Sequence, residues 1–254
     1  MTTIAAPSPT GLDRMTLAQH LGELRRRLLR VAIAVAVAAI VGWFLYPAVL
    51  NLLLHPYRSI ADRSLAHGQL IATGPLEGFA IRLKITAYTA IALAMPITLW
   101  QLWRFVAPGL YQRERRYAIP FVASALVLFC AGAAIAYATM PAALQWLSSV
   151  GGASITQAYT ADKYFQLIAY MMITFGICFE FPILMIFLQL SGIVSNDYLR
   201  RHWRHAVVLI SVVVAVATPS NDPISMFALA IPLWLFYGVA LVVGRFTQRS
   251  ATTP

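Results

Sequence analysis

Four apolar runs, at about 31–54, 79–103, 118–141 and 165–191, each reach the length a helix needs to cross a hydrocarbon core of about 30 Å. Two more follow at about 205–218 and 224–243, separated only by "TPSND". No water reaches the centre of a bilayer, so a chain there must satisfy its own backbone groups, which leaves helices for runs of this length and continuity. The fifth run is short: its residues give about 21 Å of helix. A tight polar turn and a sixth run come directly after it, so it reads as a true but short span. The expectation is an all-α polytopic membrane protein with six transmembrane helices. Composition agrees, because 60% of the 254 residues are hydrophobic and only 11% charged, against about a quarter charged in soluble domains.

The loops set the orientation. With six spans, one side holds the N-terminus, the 104–117 loop, the 192–204 loop and the C-terminus. That side carries fourteen arginines, among them Arg25, Arg26, Arg27, Arg30, Arg113, Arg115, Arg116, Arg200, Arg201 and Arg204. The other side has Arg58, Arg63 and Lys163. By the positive-inside rule both termini are cytoplasmic. The same distribution accounts for the net charge of +10 without nucleic acid as a partner. Arg82 and Lys84, near the outer end of the second span, are expected to reach the outer interface along their own stems.

Residues 1–14 read as a disordered polar tail, 15–246 as the six-helix membrane domain and 247–254 as a C-terminal tail. No Arg- and Ser-rich transit peptide is visible, which points to a prokaryotic cytoplasmic (inner) membrane. In "MTLAQHLGELRRRLLR", Thr16 and Gln19 have capping-box spacing, and Leu17, Leu21, Leu24 and Leu28 form an apolar stripe. This predicts an interfacial helix running into the first span. "RRRLLR" superficially resembles an export signal, but the apolar run after it is too long and lacks a cleavage site. Cys130 and Cys178 lie inside apolar runs with no metal-ligand spacing and read as small packing residues.

Acids are scarce enough for each to be weighed. Glu23 and Glu114 each sit inside an arginine cluster beside the membrane surface. They either balance charge, as in an i,i+4 pair of Glu23 with Arg27, or face a ligand guanidinium, which a carboxylate grips bidentately. Glu180, in "ICFEFPIL", falls mid-span, where an ionisable group costs about 2.5–3.5 kcal/mol and function is the default hypothesis. Pro182 frees the Cys178 carbonyl and predicts a bend there. The openings for Glu180 are a protonated bond within the bundle, a partner-helix contact or a proton relay. Asp222, in "TPSNDPIS", either caps the sixth helix, with Pro223 at its first position, or makes an intramembrane polar or partner contact. No HExxH, GxSxG or P-loop pattern occurs, so neither hydrolysis nor ATP use has support. A proton-coupled small-solute transporter built on Glu180 is the alternative function; no internal repeat favours it.

Four segments together resemble the TatC family, the multi-spanning receptor subunit of the twin-arginine protein translocase. They are "HLGELRRRL" at 20–28, "QLWRFVAPGLYQRERR" at 101–116, "FGICFEFPI" at 175–183 and "TPSNDPIS" at 218–225. The resemblance implies that Glu23 and Glu114 help recognise the paired arginines of precursor signal peptides, with Arg25, Phe105, Pro108, Leu110, Tyr111 and Arg115 around them. It implies that Glu180 faces a groove or partner helix. It further implies small single-span partners of the TatA and TatB type, transport driven by the proton-motive force, no cofactor and no enzymatic activity. A homo-oligomer within the receptor complex stays open. Some members carry a polar residue early in the sixth helix, where this chain has Met226.

Overall fold

A computed structural model describes residues 17–64, 70–106, 118–150, 159–190 and 192–249. Eight helices appear among them: α1 (Leu17–Ser64), α2 (Glu77–Val106), α3 (Ala118–Val150), α4 (Ala161–Phe179), α5 (Phe181–Leu190), α6 (Asn196–Arg201), α7 (Trp203–Ala217) and α8 (Pro223–Arg249). α4 and α5 are two halves of one crossing, Ala161–Gln189, and α6 is a short helix ahead of α7. Five crossings are long and apolar, and the sixth, α7, has 15 residues, or about 22 Å. The six-helix all-α expectation holds. The 1–14 tail and Thr16 of the expected capping box lie outside the described residues, as does the last stretch of the C-terminal tail.

The sequence explains where these helices bend. Proline lacks an N–H, so Pro56 within α1 leaves the Leu52 carbonyl without its helical donor. Tyr137 of α3 donates its hydroxyl to that carbonyl at 2.9 Å. One residue on, Tyr164 of α4 donates to the Leu53 carbonyl at 2.6 Å. Two helices thereby grip the outer segment of α1 through its backbone. In the fourth crossing the helix breaks at Glu180, as Pro182 predicts, and restarts with Leu184 N–H donating to the Glu180 carbonyl at 3.0 Å. Pro182 sits in the first turn of α5, where its missing donor costs nothing.

Packing is pairwise. α1 lies along α2 and α3 along α4, while α8 fits against α3, α5 and α7. The α3–α4 crossing is close because of two glycines. A Cβ on Gly132 would approach the Phe175 carbonyl oxygen to 2.5 Å, and one on Gly176 would approach the Phe129 ring to 2.5 Å. Around this crossing Tyr164, Ile168, Phe175, Phe179, Met140 and Leu144 are fully enclosed. α7 packs chiefly on α8, leaving Val208, Leu209 and Val216 outward, as a lipid-facing helix should. Cys130 corrects one expectation. It is exposed on α3 instead of packed, because the face turned to α4 is taken by Phe129 and Gly132; Cys178 is half-buried.

The outer ends are tied together by polar groups. Ile71 and Thr160 form an isolated parallel bridge: Ile71 N–H donates to Tyr159 O at 3.1 Å and Ala161 N–H to Ile71 O at 2.9 Å. Glu77 accepts from the Thr73 hydroxyl at 2.9 Å, from Gly74 N–H at 3.2 Å and, across the fold, from Asp162 N–H at 3.3 Å. One carboxylate thus serves both the turn that leads into α2 and the first turn of α4, where N–H donors lack a helical acceptor. Lys84 does not run free to the interface as expected, because its ammonium pairs with Asp162 at 2.5 Å. Nor does Arg82: its guanidinium lies 4.0 Å from the centre of the Trp43 ring and 5.1 Å from that of Tyr46, clamping α2 to α1.

Candidate functional site

Two polar constellations belong to the inner half of the molecule, and a third closes the outer turn. The first is at the start of α1. Glu23 and Arg27 are one turn apart, and the Arg27 Nε donates to Glu23 Oε1 at 3.0 Å with a second contact from Nη2. The Glu23–Arg27 part of the charge-balance expectation is seen; its Glu114 part lies outside the described residues. Both side chains are largely covered, at 20% and 12% exposure, so the pair is better shielded than an ordinary surface ion pair. Arg27 also reaches the Gln101 carbonyl at 3.5 Å, tying the inner end of α1 to the last turns of α2. That contact was not legible in the sequence, since it joins residues 74 positions apart. Arg25 points outward beside the pair, and Phe105 is half-buried at the end of α2. Pro108, Leu110, Tyr111, Glu114 and Arg115 lie outside the described residues.

The second constellation surrounds Glu180. At the break between α4 and α5 its carboxyl borders a pocket of about 170 Å³ walled by Leu99 and Trp103 of α2, Phe121 and Val122 of α3, and Ile183 and Phe187 of α5. Trp103 and Phe121 stack with ring centres 4.1 Å apart, forming the wall nearest the α2–α3 loop. The lining is otherwise apolar, and Glu180 Oε1 is buried with no hydrogen-bond partner among the described residues. Such an orphan is costly in a low-dielectric setting. A partner group entering the pocket from α2's side would relieve it.

Asp222 stands in the outer turn and differs in kind. It is fully buried; Oδ1 accepts from Ser225 N–H at 2.7 Å, Oδ2 from the Ser220 hydroxyl, and Met226 N–H donates to its carbonyl at 3.1 Å. Asn221, with φ +47°, makes the left-handed turn that brings this carboxylate over the start of α8. Both oxygens are used within its own turn, as the capping expectation requires.

Gln101 and Trp103 fall inside the quoted 101–116 segment but received no role from it, and Phe121 carried no signal in the sequence; neighbouring helices place all three. For Glu77 a local cue existed, the Thr73-to-Glu77 spacing at a helix start, but nothing indicated its reach to α4. Among the described residues no group of histidines, cysteines and acids is arranged to hold a metal ion.

Comparison with known proteins points one way. The model of the family described as Sec-independent protein translocase protein (TatC) matches residues 19–232. A TatC protein of Frankia casuarinae is 38% identical, covering 95% of this chain and 70% of its own length. One from Xylanimonas cellulosilytica is 36% identical, with 97% and 90% covered. The crystal structure of the twin-arginine translocase receptor TatC superposes with a TM-score of 0.75 at 30% identity, covering 90% of this chain and 99% of that one.

Proposed function

The chain belongs to the TatC family of Sec-independent protein translocase proteins, and from that premise we propose that it receives twin-arginine signal peptides at the inner ends of α1 and α2. It is a multi-pass membrane protein and a non-enzymatic subunit of protein transport. Its setting is the cytoplasmic membrane of a prokaryote, with TatA- and TatB-like single-span proteins as partners and a second copy of itself as a further candidate neighbour in the receptor complex. The alternative of a proton-coupled solute transporter gains nothing from the family match or from the two relatives named above, both translocase proteins.

The observation that carries the reading is the match to the TatC family over residues 19–232; its structural counterpart is the Glu23–Arg27–Gln101 connection, in which Arg27 occupies one oxygen of Glu23 and has to yield to an incoming guanidinium. The connection holds a shielded carboxylate beside the end of α2, where the loop containing Glu114 begins. Glu114 follows the end of α2 by eight residues in the sequence, and two carboxylates are what paired guanidinium groups call for. A hundredfold preference for Arg-Arg over Lys-Lys needs about 2.7 kcal/mol. One exposed ion pair contributes at most about 1 kcal/mol. Two bidentate contacts beside a low-dielectric surface reach the figure, because an ammonium cannot reproduce the planar fork. The family resemblance adds Arg25, Phe105, Pro108, Leu110, Tyr111 and Arg115 to this site, the aromatic and aliphatic ones being suited to the signal's own hydrophobic segment.

Glu180 takes the second role, as the polar contact for a partner helix lying over the apolar pocket between α2, α3 and α5. Asp222 supports it indirectly by fixing the outer turn.

The test is binding of labelled Arg-Arg and Lys-Lys signal peptides to the purified protein at one salt concentration. Arg-Arg should bind about tenfold tighter or better, a gap of at least about 1.4 kcal/mol. Glu23→Gln and Glu114→Gln should each shrink it. Equal binding of the two peptides, or a gap untouched in the doubly substituted protein, removes the carboxylates from recognition.

A further inference from the structure

We propose that the inner end of α7, with α6 and α8, forms a binding site for an anionic glycerophospholipid of the inner leaflet. An open groove of about 740 Å³ runs along this corner. At its cytoplasmic mouth stand His202, Arg204 and His205, with Arg200 and Arg201 on the adjoining face of α6. Below them Val208, Leu209 and Val212 continue the same side of α7 into the membrane for about two turns. Basic groups at headgroup depth above an apolar lane match a phosphodiester joined to acyl chains.

Three further observations support this occupant. Charge is one-sided: Asp197 is the only acid lining the mouth, and no ion pair between it and Arg200, Arg201 or Arg204 occurs among the described residues. The mouth is also held in shape. Tyr198 and His202 stack with ring centres 4.3 Å apart, and His202 and His205 follow at 5.8 Å. His202 Nδ1 donates to the Tyr198 carbonyl at 2.9 Å, which holds the ring in place at the head of the groove. Tyr237 of α8 donates its hydroxyl to the Leu199 carbonyl at 2.8 Å, fixing α6 against α8. The apolar lane, finally, is uncovered by protein, with Val208 and Leu209 63% and 64% exposed.

A general attraction of inner-face arginines for anionic membranes predicts no dependence on the lane and no difference between one cluster and another. A seated lipid predicts both. Native mass spectrometry of the full-length protein, equilibrated with dioleoyl phosphatidylglycerol or dioleoyl phosphatidylcholine, separates them. Phosphatidylglycerol should be retained about tenfold more than phosphatidylcholine, since each arginine at a membrane surface contributes a several-fold preference. R201Q/R204Q should abolish that preference, whereas R26Q/R30Q, which removes the same charge from the start of α1, should keep it. L209W fills the lane without touching charge and should lower phosphatidylglycerol retention; this arm keeps the test decisive should R201Q/R204Q fold poorly. Soluble glycerol phosphate should not compete. Equal retention of the two lipids, equal losses in both arginine pairs, full retention by L209W, or competition by glycerol phosphate would each overturn the proposal.

Discussion

Replacing Gly132 by alanine tests whether the α3–α4 crossing is as tight as its geometry indicates. The added Cβ would stand 2.5 Å from the Phe175 carbonyl oxygen, 2.8 Å from its carbonyl carbon and 2.9 Å from the Phe179 ring. Two of those three atoms are backbone, so no side-chain rotation relieves the clash. Ordinary contact begins near 3.4 Å, which requires the helices to part by about 0.9 Å at this point. A gap of that size forfeits a quarter to a half of the dispersion energy of the atoms facing it, here those of Phe129, Phe175 and Phe179. Overpacking of this kind costs about 1–3 kcal/mol, from which the roughly 1 kcal/mol that alanine recovers over glycine in a helix interior is subtracted, leaving a net loss of up to about 2 kcal/mol. For Gly176→Ala the three nearest atoms all belong to the Phe129 side chain and none to backbone, so a side-chain shift can relieve part of the clash and the change should cost less. Gly238→Ala meets nothing within 4 Å and should be neutral or stabilising. Reversible unfolding by sodium dodecyl sulfate in mixed micelles, followed by tryptophan fluorescence, ranks the three. The order Gly132 worse than Gly176 worse than Gly238 is expected. A Gly132→Ala protein as stable as the parent would refute the interlocked crossing.

Two further outcomes follow from the backbone groups that side chains satisfy. Tyr164→Phe removes the donor from the buried Leu53 carbonyl and should lower stability by about 1 kcal/mol, while Tyr137→Phe, whose bond to Leu52 is exposed, should cost less; the same unfolding titration compares them. Asp222→Ala should cost about 1–2 kcal/mol through loss of the α8 cap, and Asp222→Asn or Asp222→Ser should recover most of it, read by the same titration and by resistance of the outer turn to added protease.

How much of this was legible beforehand depends on which force acts on each residue. The bilayer imposes length and apolarity on every span locally, so the runs at 79–103 and 224–243 sit inside α2 and α8, and the short fifth run is the short α7. Proline acts locally as well, and Pro182 therefore marked the break at Glu180. The Glu23–Arg27 pair followed from i,i+4 spacing alone. Contacts between distant segments carry no such mark. Tyr164 meets Leu53 across 111 positions and Glu77 meets Asp162 across 85, and nothing in either neighbourhood of sequence announces the other. Lys84 shows the same limit from the other side: a lone cation at a helix end suggests snorkelling until Asp162 arrives from another helix. The Glu114 half of the proposed receptor site rests on family resemblance, with its loop outside the described residues.

Glu180 and Asp222 are both acids within two residues of a proline and both are candidates for a partner contact, Glu180 in mid-span and Asp222 in a polar turn. Their surroundings separate them. Asp222 meets an N–H and a hydroxyl within four residues of itself, so its burial is compensated on the spot and its chemistry is used up in building the turn. Glu180 shows no such repair among the described residues: the helix is already broken beneath it, one oxygen is buried with no donor among them, and the adjoining space is walled by aliphatic and aromatic groups from three helices. A carboxyl kept at that depth for stability alone would be replaceable by leucine with a gain, because the penalty of burying it, about 2.5–3.5 kcal/mol, would vanish. Retaining it at such a cost is consistent with a partner that supplies the missing hydrogen bond when it docks. On this argument Glu180→Leu should stabilise the isolated protein and weaken its assembly, whereas Asp222→Leu should damage both.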